Sequence, residues 1–93
     1  MKKKVTLNDI EYEVVKDYRD GYDEEAVIER ATDYFNDFDY IFGDWAYGKL
    51  RLKGFYKNDN ENVKDMNNID KLDDYINNSC AYGCKYFLLE KKK

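Results

Sequence analysis

Asp39-Tyr40-Ile41-Phe42-Gly43-Asp44-Trp45-Ala46-Tyr47-Gly48-Lys49-Leu50-Arg51-Leu52-Lys53-Gly54-Phe55-Tyr56 is the stretch on which the reading of this chain turns. It holds the only tryptophan and three of the five glycines of the 93-residue sequence. Gly48 supplies the left-handed residue that a tight connection needs, so the stretch reads as two strands joined by a short loop. Gly43 marks a bulge or a close approach of another group to the backbone. With a loop over residues 45–48, Asp44 faces Lys49, Phe42 faces Arg51 and Tyr40 faces Lys53. These six then share one face, while Ile41, Gly43, Leu50 and Leu52 form the core face. A three-residue loop would shift the register by one and regroup both faces.

Working outward, Val5–Leu7 and Ile10–Val15 read as a first hairpin, because Asn8 and Asp9 both tolerate positive φ. Ile10, Tyr12 and Val14 alternate with Glu11 and Glu13, the period of a half-buried strand. Asp23 is an N-cap, with Glu24 and Glu25 in the first turn where carboxylates favour the positive helix end. Val27, Ala31, Tyr34 and Phe38 recur at helical spacing, which predicts a helix over Glu24–Asn36. Asn58–Asn62 is a polar turn, and Val63–Met66 a weak extended piece. Asn68 caps a second helix over Ile69–Asn78, with Ile69, Leu72 and Ile76 as its apolar stripe and Gly83 at or just beyond its end. Lys85–Leu89 is a strand with apolar residues on both faces, so it belongs in the middle of the sheet. The order is ββαββαβ: a single α+β domain over residues 1–93, a mostly antiparallel sheet with two helices against it.

The composition bounds the chemistry. A domain of this length buries only about 60 to 65% of its unfolded surface. Ten of its aromatic residues are tyrosines, which bury a ring but need a partner or water for the hydroxyl. A net charge of −4 argues against bulk, non-specific nucleic-acid binding. No apolar run approaches the ~20 residues of a membrane span, and Met1-Lys2-Lys3-Lys4 leads into no apolar signal segment. The expectation is a cytoplasmic protein without a membrane partner, whose two cysteines stay reduced. Histidine is absent, which removes imidazole ligation and every Ser–His or Cys–His pair.

Several patterns remain, each with an ordinary reading beside it. The face of Tyr40, Phe42, Arg51 and Lys53 mixes aromatics with cations, suited to stacking on bases or gripping an anionic group; the ordinary reading is a solvated strand face. Lys53-Gly54-Phe55 matches the start of an RNA-recognition strand motif, but Tyr56 and Lys57 depart from it. Gly43, Gly48 and Gly54 fit no phosphate-binding loop. Cys80 and Cys84 supply two ligands, half of a structural zinc site, and miss the redox Cys-x2-Cys spacing by one; packing as small apolar residues is the ordinary reading. Asp39 and Asp44 would lie on opposite faces of a regular strand, and Asp44 reads as a loop anchor accepting backbone N–H groups. No catalytic residue, metal site or cofactor emerges.

Tyr40-Ile41-Phe42-Gly43-Asp44-Trp45-Ala46-Tyr47-Gly48-Lys49-Leu50-Arg51-Leu52-Lys53-Gly54-Phe55 closely resembles the central motif of the YutD-like family of small bacterial proteins. The second motif agrees: Asp73-Asp74-Tyr75-Ile76, then Cys80-Ala81-Tyr82-Gly83-Cys84-Lys85-Tyr86-Phe87-Leu88-Leu89. Phe42, Ala46 and Lys49 stand where Val, Gly and Gln would be expected. The resemblance covers almost the whole chain and implies a compact α+β domain, but no activity. The functional expectation is therefore a binding or adaptor module presenting the hairpin to a protein or RNA partner. Tyr40, Phe42, Asp44, Trp45, Tyr47, Lys49, Arg51 and Lys53 are its candidate contacts. The alternative is a thiol-dependent enzyme or redox accessory using Cys84 with Cys80 as resolving thiol.

Overall fold

Asn8 and Asp9 have φ of 53° and 67°, the left-handed pair that a two-residue hairpin turn demands. They fold β1 (Lys4–Leu7) back on β2 (Ile10–Tyr18), with Leu7 opposite Ile10 and Val5 opposite Tyr12. This computed structural model describes residues 3–19, 21–46, 48–79 and 85–92. In β2 the register slips between Val14 and Lys16. That bulge leaves Val15 39% exposed and reverses which side of the sheet the following residues face.

Asp23 caps α1 (Glu24–Arg30), its carboxylate accepting the Ala26 N–H at 3.2 Å. The helix is shorter than its periodicity predicts. It ends at Arg30, Ala31 is extended with ψ 111°, and a 3-10 turn follows over Asp33–Asp37. The physical reason lies in where the aromatics go. One straight helix lays its apolar stripe along one axis, whereas here Phe35 joins the core under the first hairpin and Phe38 packs on Tyr56, the rings tilted by 34° with centroids 4.8 Å apart.

The organising hairpin forms β3 (Tyr40–Ala46) and β4 (Lys49–Phe55). The expected four-residue loop is corrected to a two-residue one: Ala46 pairs with Lys49, and Gly48 has φ 76°. Residues 45 and 46 stay in the strand. Trp45 is held there by its N–H on the Lys85 carbonyl (3.2 Å) and by its indole N–H on the Gly21 carbonyl (2.7 Å). Asp44 therefore pairs with Arg51, Phe42 with Lys53 and Tyr40 with Phe55. The slip is two residues, so the grouping into faces survives while every cross-strand pair changes.

Beyond β4 the segment expected to be extended, 63–66, pairs into no strand among the described residues: Lys64 is extended, with φ −134° and ψ 164°, but Asp65 and Met66 already belong to a 3-10 turn over Asp65–Asn67. Asparagine side chains compete with a ladder here: Asn60 accepts from the Asn62 N–H at 2.8 Å and Asn67 from the Lys64 N–H at 2.6 Å. Asn68 caps the next turn, accepting from the Asp70 N–H at 3.0 Å. The chain runs through Ile69–Lys71 into α2 (Leu72–Ser79). The last strand, β5 (Tyr86–Lys91), lies between β2 and β3, giving the antiparallel order β1-β2-β5-β3-β4.

Both sides of this sheet carry a core. Tyr12, Val27, Ile41, Leu50, Phe87 and Leu89 are buried on the α1 side. Phe42, Phe55, Leu72 and Leu88 are buried on the α2 side, with Ile69, Tyr75 and Ile76 against them. Apolar residues on both faces of β5 meet this demand, as its composition predicts.

A candidate partner-binding surface on the hairpin

The hairpin face expected to meet solvent is in part core, which corrects the sequence expectation. Phe42 is 1% exposed, its ring 5.6 Å from Tyr75 of α2 and 6.3 Å from Phe55. Its side chain is core. Tyr40 is half-buried, and its hydroxyl donates to Glu90 Oε2 at 3.0 Å. Burial, then the Glu90 contact, pushes the Tyr40 phenol up to about 12.

Asp44 is 1% exposed. Among the described residues its carboxylate accepts no backbone amide, and Lys49, expected opposite it, pairs with Ala46 instead. Both carboxylate oxygens take the Arg51 guanidinium, Oδ1 from Nε at 3.1 Å and Oδ2 from Nη2 at 2.5 Å, the two-pronged geometry that arginine alone offers. The Arg51 side chain is itself 50% exposed, so the pair presents a cation outward and hides its anion. Asp39 acts elsewhere, on the turn after β4, where its Oδ2 accepts the Lys57 N–H at 2.9 Å and Asn60 Nδ2 at 3.0 Å.

Lys49 is exposed beside the turn. The Lys53 ammonium lies 5.4 Å from the Phe55 ring and 5.5 Å from the Tyr75 ring, a cation over two aromatic faces. Trp45 points to the opposite side of the sheet, packed against the α1 core, with the Lys85 ammonium 5.0 Å from its ring. Tyr47, Cys80 and Cys84 lie outside the described residues.

The sheet adds partners the sequence reading missed. Tyr18 pairs with Tyr86, Tyr86 with Asp44, and Asp44 with Arg51, one row across four strands. The Tyr18 and Tyr86 rings stack at 4.8 Å and 13°, and the Arg19 guanidinium lies 5.3 Å from Tyr18. Lys16 and Lys53 end the next row, with Leu88 and Phe42 between them. Only the slip at Val15 turns Lys16 and Tyr18 to this side, and no local pattern in the sequence announced it. Beside β4, on its outer edge, lies a cavity of about 230 Å³ bounded by Tyr34, Phe38, Leu52, Gly54 and Met66.

Among the described residues no group of three or more His, Cys, Asp or Glu side chains could hold a metal ion, and no helix is long and apolar enough to cross a membrane. Fold and surface thus define a small antiparallel sheet domain, covered by a helix on each face, with an aromatic and cationic hairpin end. The chain belongs to the YutD-like family: the family described as "Putative antitoxin YutD-like" matches residues 6–90. Over 87 residues it is 42% identical to "Putative antitoxin YutD" of Bacillus subtilis (strain 168), covering 94% of this chain and 96% of that one. The solution NMR structure of protein yutD from B. subtilis matches with a TM-score of 0.81 at 41% identity, covering 98% of this chain and 83% of that one.

Proposed function

We propose that this protein is a non-catalytic binding module that holds an acidic surface of a protein partner against the β3–β4 hairpin. The observation that carries the reading is the cross-strand row at the end of the sheet. It runs from the Tyr18–Tyr86 stack through buried Asp44 to the outward guanidinium of Arg51, with Lys16 and Lys53 at the two ends of the next row and Lys49 two residues before Arg51 on β4. These cations gather in a chain whose net charge is −4. A local positive patch on an acidic protein steers a complementary partner without general stickiness, and tyrosine and arginine are the residues that anchor protein interfaces. The name of the relatives supports the reading too, since a protein that counteracts a toxin can do so by binding it.

The test is affinity capture from cell lysate with Lys16→Glu and Lys49→Glu combined, both positions being exposed. The double variant should melt like wild type, because exposed substitutions away from packed features change stability little. It should lose the captured partner, and nuclease treatment should leave wild-type capture intact. Capture abolished by nuclease would assign the surface to RNA instead. Capture unchanged in the double variant would remove this surface from consideration.

A further inference from the structure

β4 is the outermost strand on the hairpin side of the sheet, and its backbone alternates in direction. Tyr56, just past its end, turns its groups away from β3. Its N–H donates to the Asn67 carbonyl at 2.7 Å and its carbonyl accepts from the Ile69 N–H at 2.9 Å, forming a parallel bridge with Asn68. By the two-residue period of a strand, Gly54 and Leu52 also turn their N–H and C=O groups outward. Among the described residues no backbone group meets them on that side. Gly54 is nevertheless buried, under the ring of Phe38, which leaves no room for a Cβ. A buried, unmatched peptide group is costly unless something pairs with it. The cavity lies along this same edge, and its outer walls, Tyr34 and Met66, are 67% and 71% exposed.

We propose that the edge of β4 around Leu52 and Gly54 receives an extended segment of the partner as an added strand, alternating acidic and apolar side chains. The proposal rests on the binding-module reading and names its mode. Acidic side chains would stand beside Arg51 and Lys53 on one face of the sheet. Apolar ones would enter the cavity between Tyr34, Phe38 and Met66 on the other.

Charge decides the occupant. If two copies of this chain joined through β4 in antiparallel fashion, only residues with outward backbone groups could bond one another. Leu52 and Gly54 would then oppose residues of their own set, and Lys49, Arg51 and Lys53 would oppose theirs in every register. Like charges directly opposite on neighbouring strands are destabilising, and edge lysines are a known device against self-pairing. The edge thus rejects a second copy and favours a strand of opposite charge. Strand addition to an open sheet edge is an established way of holding a peptide, with main-chain bonds giving affinity and alternate pockets giving specificity.

The probe is an acetylated hexapeptide alternating glutamate and isoleucine, titrated into the 15N-labelled protein. A second hexapeptide has lysine for glutamate. Two more carry N-methyl groups on the isoleucines only or on the glutamates only. The expected result is movement of the Leu52 and Gly54 amide signals and of the Met66 signals with the glutamate probe, and at least tenfold weaker binding of the lysine probe. One of the two N-methylated sets should abolish binding and the other leave it, because only alternate peptide nitrogens face β4. Tyr34→Ala should weaken the glutamate probe without altering the fold. The proposal is overturned if no probe binds at millimolar concentration, if the lysine probe binds equally, if both N-methylated peptides bind alike, or if sedimentation shows dimers of the wild type in which the Leu52 and Gly54 amides are protected from hydrogen exchange. Should the Lys16→Glu, Lys49→Glu variant lose its lysate partner while no probe reaches the edge, strand addition falls and the binding-module reading stands.

Discussion

Removing the guanidinium of Arg51 should destabilise the protein far more than its half-exposed side chain implies. Arg51→Met keeps the aliphatic stem against its neighbours and deletes the two hydrogen bonds to Asp44. What remains is a carboxylate only 1% exposed without its counter-charge. Breaking a buried pair from one side costs about 3 to 5 kcal/mol. Because the Arg51 side chain is 50% exposed, water reaches part of the pair and the expectation drops to about 2 to 3 kcal/mol. For a domain of this size that lowers the melting temperature by roughly 10 to 20 °C. The assay is thermal unfolding followed by circular dichroism at pH 7, on wild type, Arg51→Met, Asp44→Leu and the double variant. Replacing both partners by apolar groups should recover most of the loss, since a buried pair is often no better than an apolar one of similar volume. The cycle then isolates a coupling of about 1 to 3 kcal/mol. An Arg51→Met protein that melts within about 2 °C of wild type would refute the reasoning, and would mean that the Asp44 carboxylate reaches water or another donor.

Gly43→Ala should cost about 1 to 3 kcal/mol by overpacking, because a Cβ there would meet the Phe87 ring at 2.2 Å. Chemical denaturation should show the loss, and Phe87→Leu in the same chain should reverse part of it. Trp45→Phe should lose about 1 kcal/mol through the unmatched Gly21 carbonyl, and Trp45→Ala about 3 kcal/mol through the emptied volume as well; a Trp45→Phe denaturation curve that overlays wild type would deny the hydrogen bond any part. The protein should also lose stability in alkali. Tyr40 and Tyr22 are each pushed from 10.0 to about 12 by burial first and by neighbouring carboxylates second. The unfolded chain therefore releases these protons before the folded one does, so stability is full below pH 10 and falls as pH rises from there to about 12. Melting temperatures across pH 8 to 12 should decline less steeply in Tyr40→Phe, and an unchanged slope would contradict the assignment to Tyr40.

The strand and helix order was legible because its signals are local. Asn8-Asp9 has room for positive φ, Asp23 and Asn68 can each hold an amide of their own first turn, and an apolar run such as Phe87-Leu88-Leu89 belongs in the middle of a sheet. Where the local reading failed, a distant contact had overruled it. The helix expected to run to Asn36 stops at Arg30 because Phe35 and Phe38 serve different neighbours. The loop expected at Trp45 is displaced because Gly21, far back in the chain, takes its indole N–H.

The candidate surface divides the same way. Strand parity alone places Tyr40, Phe42, Asp44, Arg51 and Lys53 on one side of the hairpin, and that grouping survives the corrected register. Parity cannot tell what covers a side, because a cover comes from another part of the chain. The docking of α2 takes Phe42 into the core, Asp44 is buried beside the Arg51 guanidinium, and the cations of Lys49 and Arg51 stay outside. The strand order, with β5 between β2 and β3, brings Tyr18 and Tyr86 into their row. The sequence by itself determined which residues could act together, since backbone geometry fixes the side to which each side chain points. The tertiary structure decided which of them meet water, since burial depends on contacts between segments far apart in the chain.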